Sequence, residues 1–384
     1  MQMDCQKHLF SLEPHIHYLN GAYMSPLMQS VEAAGVHSVR LKSRPYHISP
    51  NDFFTDKEKL RGLFAELVHA PSADHVAFVP AVSYGIAVVA QNVKVQKGQK
   101  IVVADAQFPS NVYSWRRLAK EKGVEVVSID MPMSKVDRGK TWNEHILAAI
   151  DAQTAIVAIG HIHWANGTIF DLAAISKKVH SYGGLLIVDG TQSVGALPID
   201  VQQMGIDALI CGGYKWLMGG YSLGYAYYSD YFWNGTPLEE NWINRENSQD
   251  FAGLTQYRDG YQPGARRFDV GEHSNFILIP MGIAALEQLI AWQPVHIQQY
   301  CKDLVNDAVM IWQSKGYWVE DEAFRASHLF GIQVPEGADG VQLQKALKAN
   351  NISVSVRGDF IRVSPNVYND AADLEALTRV LVAE

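Results

Sequence analysis

The sequence predicts an α/β chain: a mostly parallel sheet of seven strands flanked by helices, then a smaller α+β unit. Three observations predict it. Short apolar runs alternate with amphipathic stretches from about residue 55 to 229. Residues 231–275 turn polar and glycine-rich, as a connector does. From 276 onward helix and strand patterns resume. Parallel strands need long crossovers, which helices supply, so this alternation implies one sheet covered on both faces.

The elements follow in order. Residues 1–50 are irregular and rich in His, Tyr and Pro, and read as an arm joining the small domain. The large domain is placed at 51–260 and the small domain at 261–384. Helix DKEKLRGLFAEL (56–67) leads to strand HVAFV (75–79), helix 83–93 and strand KIVVA (100–104). Helix 112–122 precedes strand VEVVSI (124–129); a helix near 142–150 precedes TAIVAIG (154–160). Helix 171–181 and strand GLLIVD (184–189) come next, then strands 207–212 and 222–229. In the smaller unit the spacing predicts helices 281–292 and 295–315. A hairpin, VSVRGDFIRVS (354–364), and a final helix over 370–382 complete it.

Composition narrows the function classes. A net charge of −8 gives no reason to expect nucleic acid, which usually attracts a basic face. No run of ~18 apolar residues predicts a membrane span, and the first residues lack a signal peptide's apolar stretch. The three cysteines, Cys5, Cys211 and Cys301, form no C-x-x-C pair. A sparse, odd set argues for a reducing, cytoplasmic setting rather than a disulfide framework.

Ligands of open parallel sheets bind beyond the carboxyl ends of the strands, so the chemistry is sought there. Strand LLIVD ends on Asp189, and ICGGYKWLMGG carries Lys215 after the next strand. A carboxylate at a strand end can stay ionised and pair with a protonated ring nitrogen. A lysine in a glycine-rich turn can approach an aldehyde closely, and burial beside a cation frees its amine as a nucleophile. Taken singly, each has a plainer reading: Asp189 as a loop cap and Lys215 as a solvated surface charge.

Together the segment LIVDGTQSVGALPID...DALICGGYKWL resembles the class V aminotransferase group of pyridoxal 5'-phosphate (PLP) enzymes. The group includes cysteine desulfurases, kynureninases and several aminotransferases. The likeness runs over roughly 15–384 and is densest in 76–225. It implies the aspartate-aminotransferase fold, PLP as cofactor, a small-molecule amino acid substrate and a homodimer.

The resemblance also implies roles residue by residue. Lys215 matches the Schiff-base lysine, Asp189 the partner of the pyridine nitrogen, and Gln192 the residue bonded to the ring oxygen. Tyr214 resembles the kynureninase tyrosine that contacts the phosphate. Val82 and Ser83, in PAVSYG, match the phosphate contacts at a helix N-terminus, where free N–H groups and the dipole favour an anion. Ser83 also reads as an N-cap, and the two roles coexist. Phe108, in DAQFPSNVYSW, falls where the family stacks a ring on the cofactor. Desulfurases have His there and kynureninases Phe-Pro-Ser. Trp164, in HIHWANGT, stands where desulfurases have Asn.

His161 and His163 point the same way on an extended segment and with Asp189 could hold a metal. No third ligand is convincingly spaced, so no metal is expected. Arg362 matches the family's bidentate clamp on the substrate α-carboxylate, with Arg357 the nearby competitor. RRFDVGEHSNF (266–276) resembles the loop that crosses to a partner's phosphate. Gly271-Glu272 puts a carboxylate there, an awkward phosphate neighbour. The arm at 15–50 is a further candidate for lining the site.

Transamination needs only Lys215, Asp189 and a clamp, and is the favoured reaction. A PLP lyase, kynureninase-like or β-eliminating, is also compatible with Phe108 and Tyr214. Cysteine desulfuration is disfavoured, because residues 302–384 hold no cysteine for a nucleophilic loop. Two other classes stay open: a dinucleotide-binding dehydrogenase, although no G-x-G-x-x-G follows the first strands, and a catalytically silent cofactor-binding protein.

Overall fold

The computed structural model describes residues 3–357 and 359–383. Met1 and Gln2 of the expected arm, Gly358 of the expected hairpin turn and Glu384 lie outside the described residues. In chain order the regular elements are β1 (His17–Tyr18), α1 (Gln29–Lys42), α2 (Thr55–Leu67), β2 (Val76–Val79) and α3 (Val82–Asn92). Then come β3 (Lys100–Ala104), α4 (Tyr113–Lys122), β4 (Glu125–Ile129), α5 (Arg138–Ala149), β5 (Thr154–Gly160) and α6 (Leu172–Ser181). They continue with β6 (Leu185–Asp189), β7 (Ala208–Gly212), β8 (Gly224–Tyr228), α7 (Leu278–Trp292), α8 (Pro294–Ser314) and β9 (Trp318–Val319). The last are β10 (Phe330–Gln333), α9 (Gly340–Ala349), β11 (Ile352–Ser353), β12 (Ser355–Arg357), β13 (Phe360–Val363) and α10 (Ala371–Ala383).

Seven strands form one sheet in the order β2-β8-β7-β6-β5-β3-β4, and only β8 runs antiparallel to its neighbours. This is the mostly parallel sheet the alternation predicted. Because a strand's side chains alternate, each strand feeds two cores. Val76, Phe78, Val102, Leu186 and Val188 pack on one face. Ala77, Val79, Ile101, Val103 and Ile187 pack on the other. A second sheet, β12-β13-β10-β9, encloses its own core with Trp312, Phe330, Ile361, Val363 and Leu377. The arm is tied to this unit by parallel pairing of β1 with β11, His17 opposite Ile352. Among the described residues no helix is long and apolar enough to cross a membrane.

Two helices were not expected. α1 lies inside the arm read as irregular. Its buried stripe is only Val31, Gly35 and Ser38, too narrow and too small-sided to show as an apolar period. It docks through Gly35, where a Cβ would stand 2.9 Å from Met281 Sδ. α9 begins at Asp339, whose carboxylate accepts the N–H groups of Val341 and Gln342.

Edge strand β2 leads directly into α3 and is held by a buried ion pair. Arg61 Nη2 donates to Asp269 Oδ2 at 2.7 Å, and Asp269 Oδ1 accepts the Phe78 N–H at 2.7 Å. Both side chains are out of water. Asp269→Ala takes one of two carboxylates from the buried guanidinium, leaving Glu58 Oε1 at 3.2 Å from Nε, and leaves the Phe78 N–H unpaired. We expect a loss of about 2–3 kcal/mol in denaturant unfolding. A loss below ~1 kcal/mol would show that Glu58 and the Val76 carbonyl suffice to hold Arg61.

Candidate active site

The carboxyl ends of β3, β5, β6 and β7 border a cavity of about 360 Å³. Val82, Ser83, Phe108, Trp164, Asp189, Gln192, Tyr214 and Lys215 all line it. Arg362 stands behind Trp164 rather than on the cavity wall, its Nη1 donating to the Trp164 carbonyl at 2.9 Å.

Lys215 sits on a tight turn after β7. A Cβ on Gly213 would lie 2.5 Å from the Leu223 carbonyl, so the turn needs glycine to pass beside the start of β8. Lys215 Nζ lies 5.5 Å from the Phe108 ring centre and 5.6 Å from that of Tyr214. Burial lowers its pKa to about 8; Asp189 opposes the shift, and Arg362 and Arg357 add to it. Burial raises the pKa of Asp189, while Thr191 and Lys215 hold it down. The Thr191 N–H donates to Asp189 Oδ1 at 3.0 Å.

At the opposite wall α3 opens without a side-chain cap. Its cap position is Ala81, so Ser83 is the second helical residue and not the N-cap the sequence suggested. The first N–H groups therefore face the cavity unclaimed by a capping side chain.

Gln192 is fixed on several sides. Trp216 Nε1 donates to its Oε1 at 2.9 Å, and its Nε2 donates to the Ala22 carbonyl at 3.2 Å. His328 Nε2 lies 2.8 Å from its carbonyl oxygen. One amide hydrogen is left for the cavity. The Trp164 turn is also pinned. Its Nε1 donates to the Ala106 carbonyl at 2.7 Å, and the ring meets Phe108 edge-on at 5.6 Å. Ala106 holds a left-handed φ of 48°, which aims that carbonyl at both Trp164 and His163. Gly167 closes the turn with φ +81°, and a Cβ there would lie 2.3 Å from the Leu329 carbonyl.

The two histidines separate. His163 lines the cavity with Nδ1 against Asn166 Oδ1 at 2.9 Å, whereas His161 is off the lining. No group of three His, Cys, Asp or Glu residues among the described ones could hold a metal. In the 266–276 loop the Gly271 N–H donates to the Glu239 carboxylate, and Glu272 takes a left-handed φ of 57°. Sequence reading missed Thr191, Trp216 and His328. Thr191 was signalled by its place two residues after Asp189. His328 carried no signal, since only the fold brings it to Gln192. The arm does reach the site: besides Ala22, the Ser25 N–H donates to the Tyr214 carbonyl at 3.2 Å.

Residues 28–377 match the family described as Aminotransferase class-V. The chain is 28% identical over 326 residues to the uncharacterized aminotransferase YcbU of Bacillus subtilis, covering 83% of this chain and 80% of that protein. It is 30% identical over 230 residues to a cysteine desulfurase of an Enterobacter species, covering 59% and 54% of the two chains. Among solved structures, the cysteine desulfurase CsdA of Escherichia coli superposes with a TM-score of 0.80 at 20% identity, covering 98% and 96%. A lysine-to-alanine mutant of C-DES, with glycine covalently linked to the PLP cofactor, gives 0.84 at 17% identity, covering 98% of each chain. At these identities the two structures bear on the fold.

Proposed function

The chain belongs to the class-V aminotransferase family, whose cofactor is pyridoxal 5'-phosphate, and from that premise we propose that it is an aminotransferase acting on an α-amino acid. The residues present fit the cofactor. The uncapped end of α3, with Val82 and Ser83, suits the phosphate; buried Asp189 suits a protonated ring nitrogen; Gln192 has one amide hydrogen for the ring oxygen; Phe108 offers a face for the ring. When bound, the cofactor supplies an electrophilic aldehyde and a conjugated ring that stores the electron pair released at the substrate α-carbon.

The chain's own groups do the rest. Lys215 Nζ would hold the cofactor by an imine bond, and as a free amine it would accept the substrate's α-proton and pass it on rather than restore it to the α-carbon. A pKa of about 8 leaves roughly a tenth of such amines neutral at pH 7. Arg362 holds the α-carboxylate and keeps the α-carbon within reach of Lys215. The Trp164 turn and Tyr214 line the cavity. A homodimer belongs to the same reading, and sedimentation at twice the chain mass would support it.

The observation that carries this reading is Lys215 and Asp189 in one cavity whose wall holds no cysteine. Burial pushes the thiol of Cys211 well above its ordinary range and raises that of Cys301; Cys5 lies against Asn369. That disposition of the cysteines favours transamination over a desulfurase route that builds a persulfide on an enzyme cysteine. A lyase would use the same Lys215 and Asp189, and Phe108 and Tyr214 on the wall make it the second reading. Amino acids are offered with and without a keto-acid acceptor. New amino acid formed only with acceptor supports transamination; keto acid and free ammonia without acceptor would establish the lyase instead.

A further inference from the structure

We propose that the substrate's side chain carries a second acidic group, held by Arg357 while Arg362 holds the α-carboxylate. This rests on the assignment of Lys215 and Arg362 above and narrows the substrate to acidic amino acids, carboxylic or sulfinic.

The register of the β12–β13 hairpin carries the argument. Ser355 pairs with Arg362 and Arg357 with Phe360, so these four side chains share one face. The other face sends Ile361 and Val363 into the small core. Diagonal positions in an antiparallel pair stand about 7–8 Å apart, within reach of long side chains. The shared face meets the turn that walls the cavity. Arg362 donates to the Trp164 carbonyl, and the Arg357 guanidinium lies 5.6 Å from the Trp164 ring centre. Phe360 packs beside Asn166 at Gly331 and fixes the hairpin against that turn.

Two like charges have thus been brought to one side of Lys215. Among the described residues neither arginine is ion-paired, and Arg362 Nε is buried without a partner. Arg362, buried without a counter-ion, disfavours the empty site, and half-buried Arg357 beside it adds a second positive charge, so a ligand bringing two anionic groups is favoured. A substrate with a neutral side chain supplies one carboxylate for two forks. An aspartate- or glutamate-sized substrate supplies both, and the planar guanidinium suits each.

Holoenzyme is titrated calorimetrically with succinate, glutarate and butyrate. In parallel, kcat/KM is measured for aspartate, glutamate, cysteine sulfinate, asparagine and alanine, for wild type, Arg357→Met and Arg357→Lys. The diacids are expected to bind at least ~30-fold tighter than butyrate, a preference that Arg357→Met removes. The acidic-to-neutral ratio of kcat/KM should fall about 100-fold in Arg357→Met, with part restored in Arg357→Lys. Equal binding of butyrate and the diacids overturns the proposal. So does a loss in Arg357→Met that leaves the ratio unchanged, which would make Arg357 a second contact to the α-carboxylate or a packing partner of Trp164. A holoenzyme whose cofactor is not fixed to Lys215 by borohydride overturns the Lys215 assignment, while the calorimetric preference still reports on Arg357.

Discussion

Lys215→Ala is expected to lower turnover by about a thousandfold or more and to abolish covalent attachment of the cofactor. The wild type should show an absorbance band near ~420 nm that borohydride converts to a stable adduct on Lys215. The variant should lack the adduct and release its cofactor on dialysis. Lys57→Ala is the informative control. Lys57 is also buried with a pKa lowered to about 8, mainly by burial. It lies 2.7 Å from His273 Nε2, away from the cavity wall that Lys215 shares with Asp189. A depressed lysine pKa therefore does not by itself mark the anchor; the cavity does. If Lys215→Ala keeps the band and the adduct, the proposed mechanism fails and only the fold and family remain.

Much of the fold is legible in the sequence because a buried parallel strand has few alternatives. Runs such as VVA before Asp105 or LLIV before Asp189 are apolar at every position, and helical stretches separate them. The same property exposes the site, since the polar residues that end those runs are where side chains meet solvent and ligand. α1 is not legible, because it docks through Gly35 and Ser38, which carry no apolar signal. The support of Gln192 is not legible either. Trp216 and His328 reach it from segments far apart in sequence, and both side chains read as ordinary core. Arg362 was legible as a residue type at a family position. Its orphaned Nε and its shared face with Arg357 emerge only from the hairpin register.

Stability should fall steeply as pH drops below about 6.5, because four buried histidines resist protonation in the fold. Burial lowers His161, His273 and His328 to about 4 each and lowers His163 as well. An unfolded histidine titrates near ~6.5. The sign follows from proton counting. Between pH 6.5 and 4 the unfolded chain binds protons that the folded chain refuses, so ΔG of unfolding decreases as pH falls. Each group contributes up to about 1.4 kcal/mol per pH unit, and His161, His273 and His328 together up to about 4 kcal/mol per pH unit. Asp189, Asp207 and Glu320 oppose the trend in the lower part of this window, since burial raises their pKa values and the fold takes up their protons first. His328 also links the effect to the site. Protonated, its ring would be a buried cation held between Gln298 and the Gln192 carbonyl and pressed edge-on to Trp216 at 4.4 Å. Guanidinium midpoints at pH 7.5, 6.0 and 5.0 would read the slope. His328→Gln keeps a donor toward the Gln192 carbonyl and should flatten the slope by up to about 1.4 kcal/mol per pH unit. Midpoints that do not move between pH 7.5 and 5.0 would mean that these histidines are protonated, or reached by water, in the native fold.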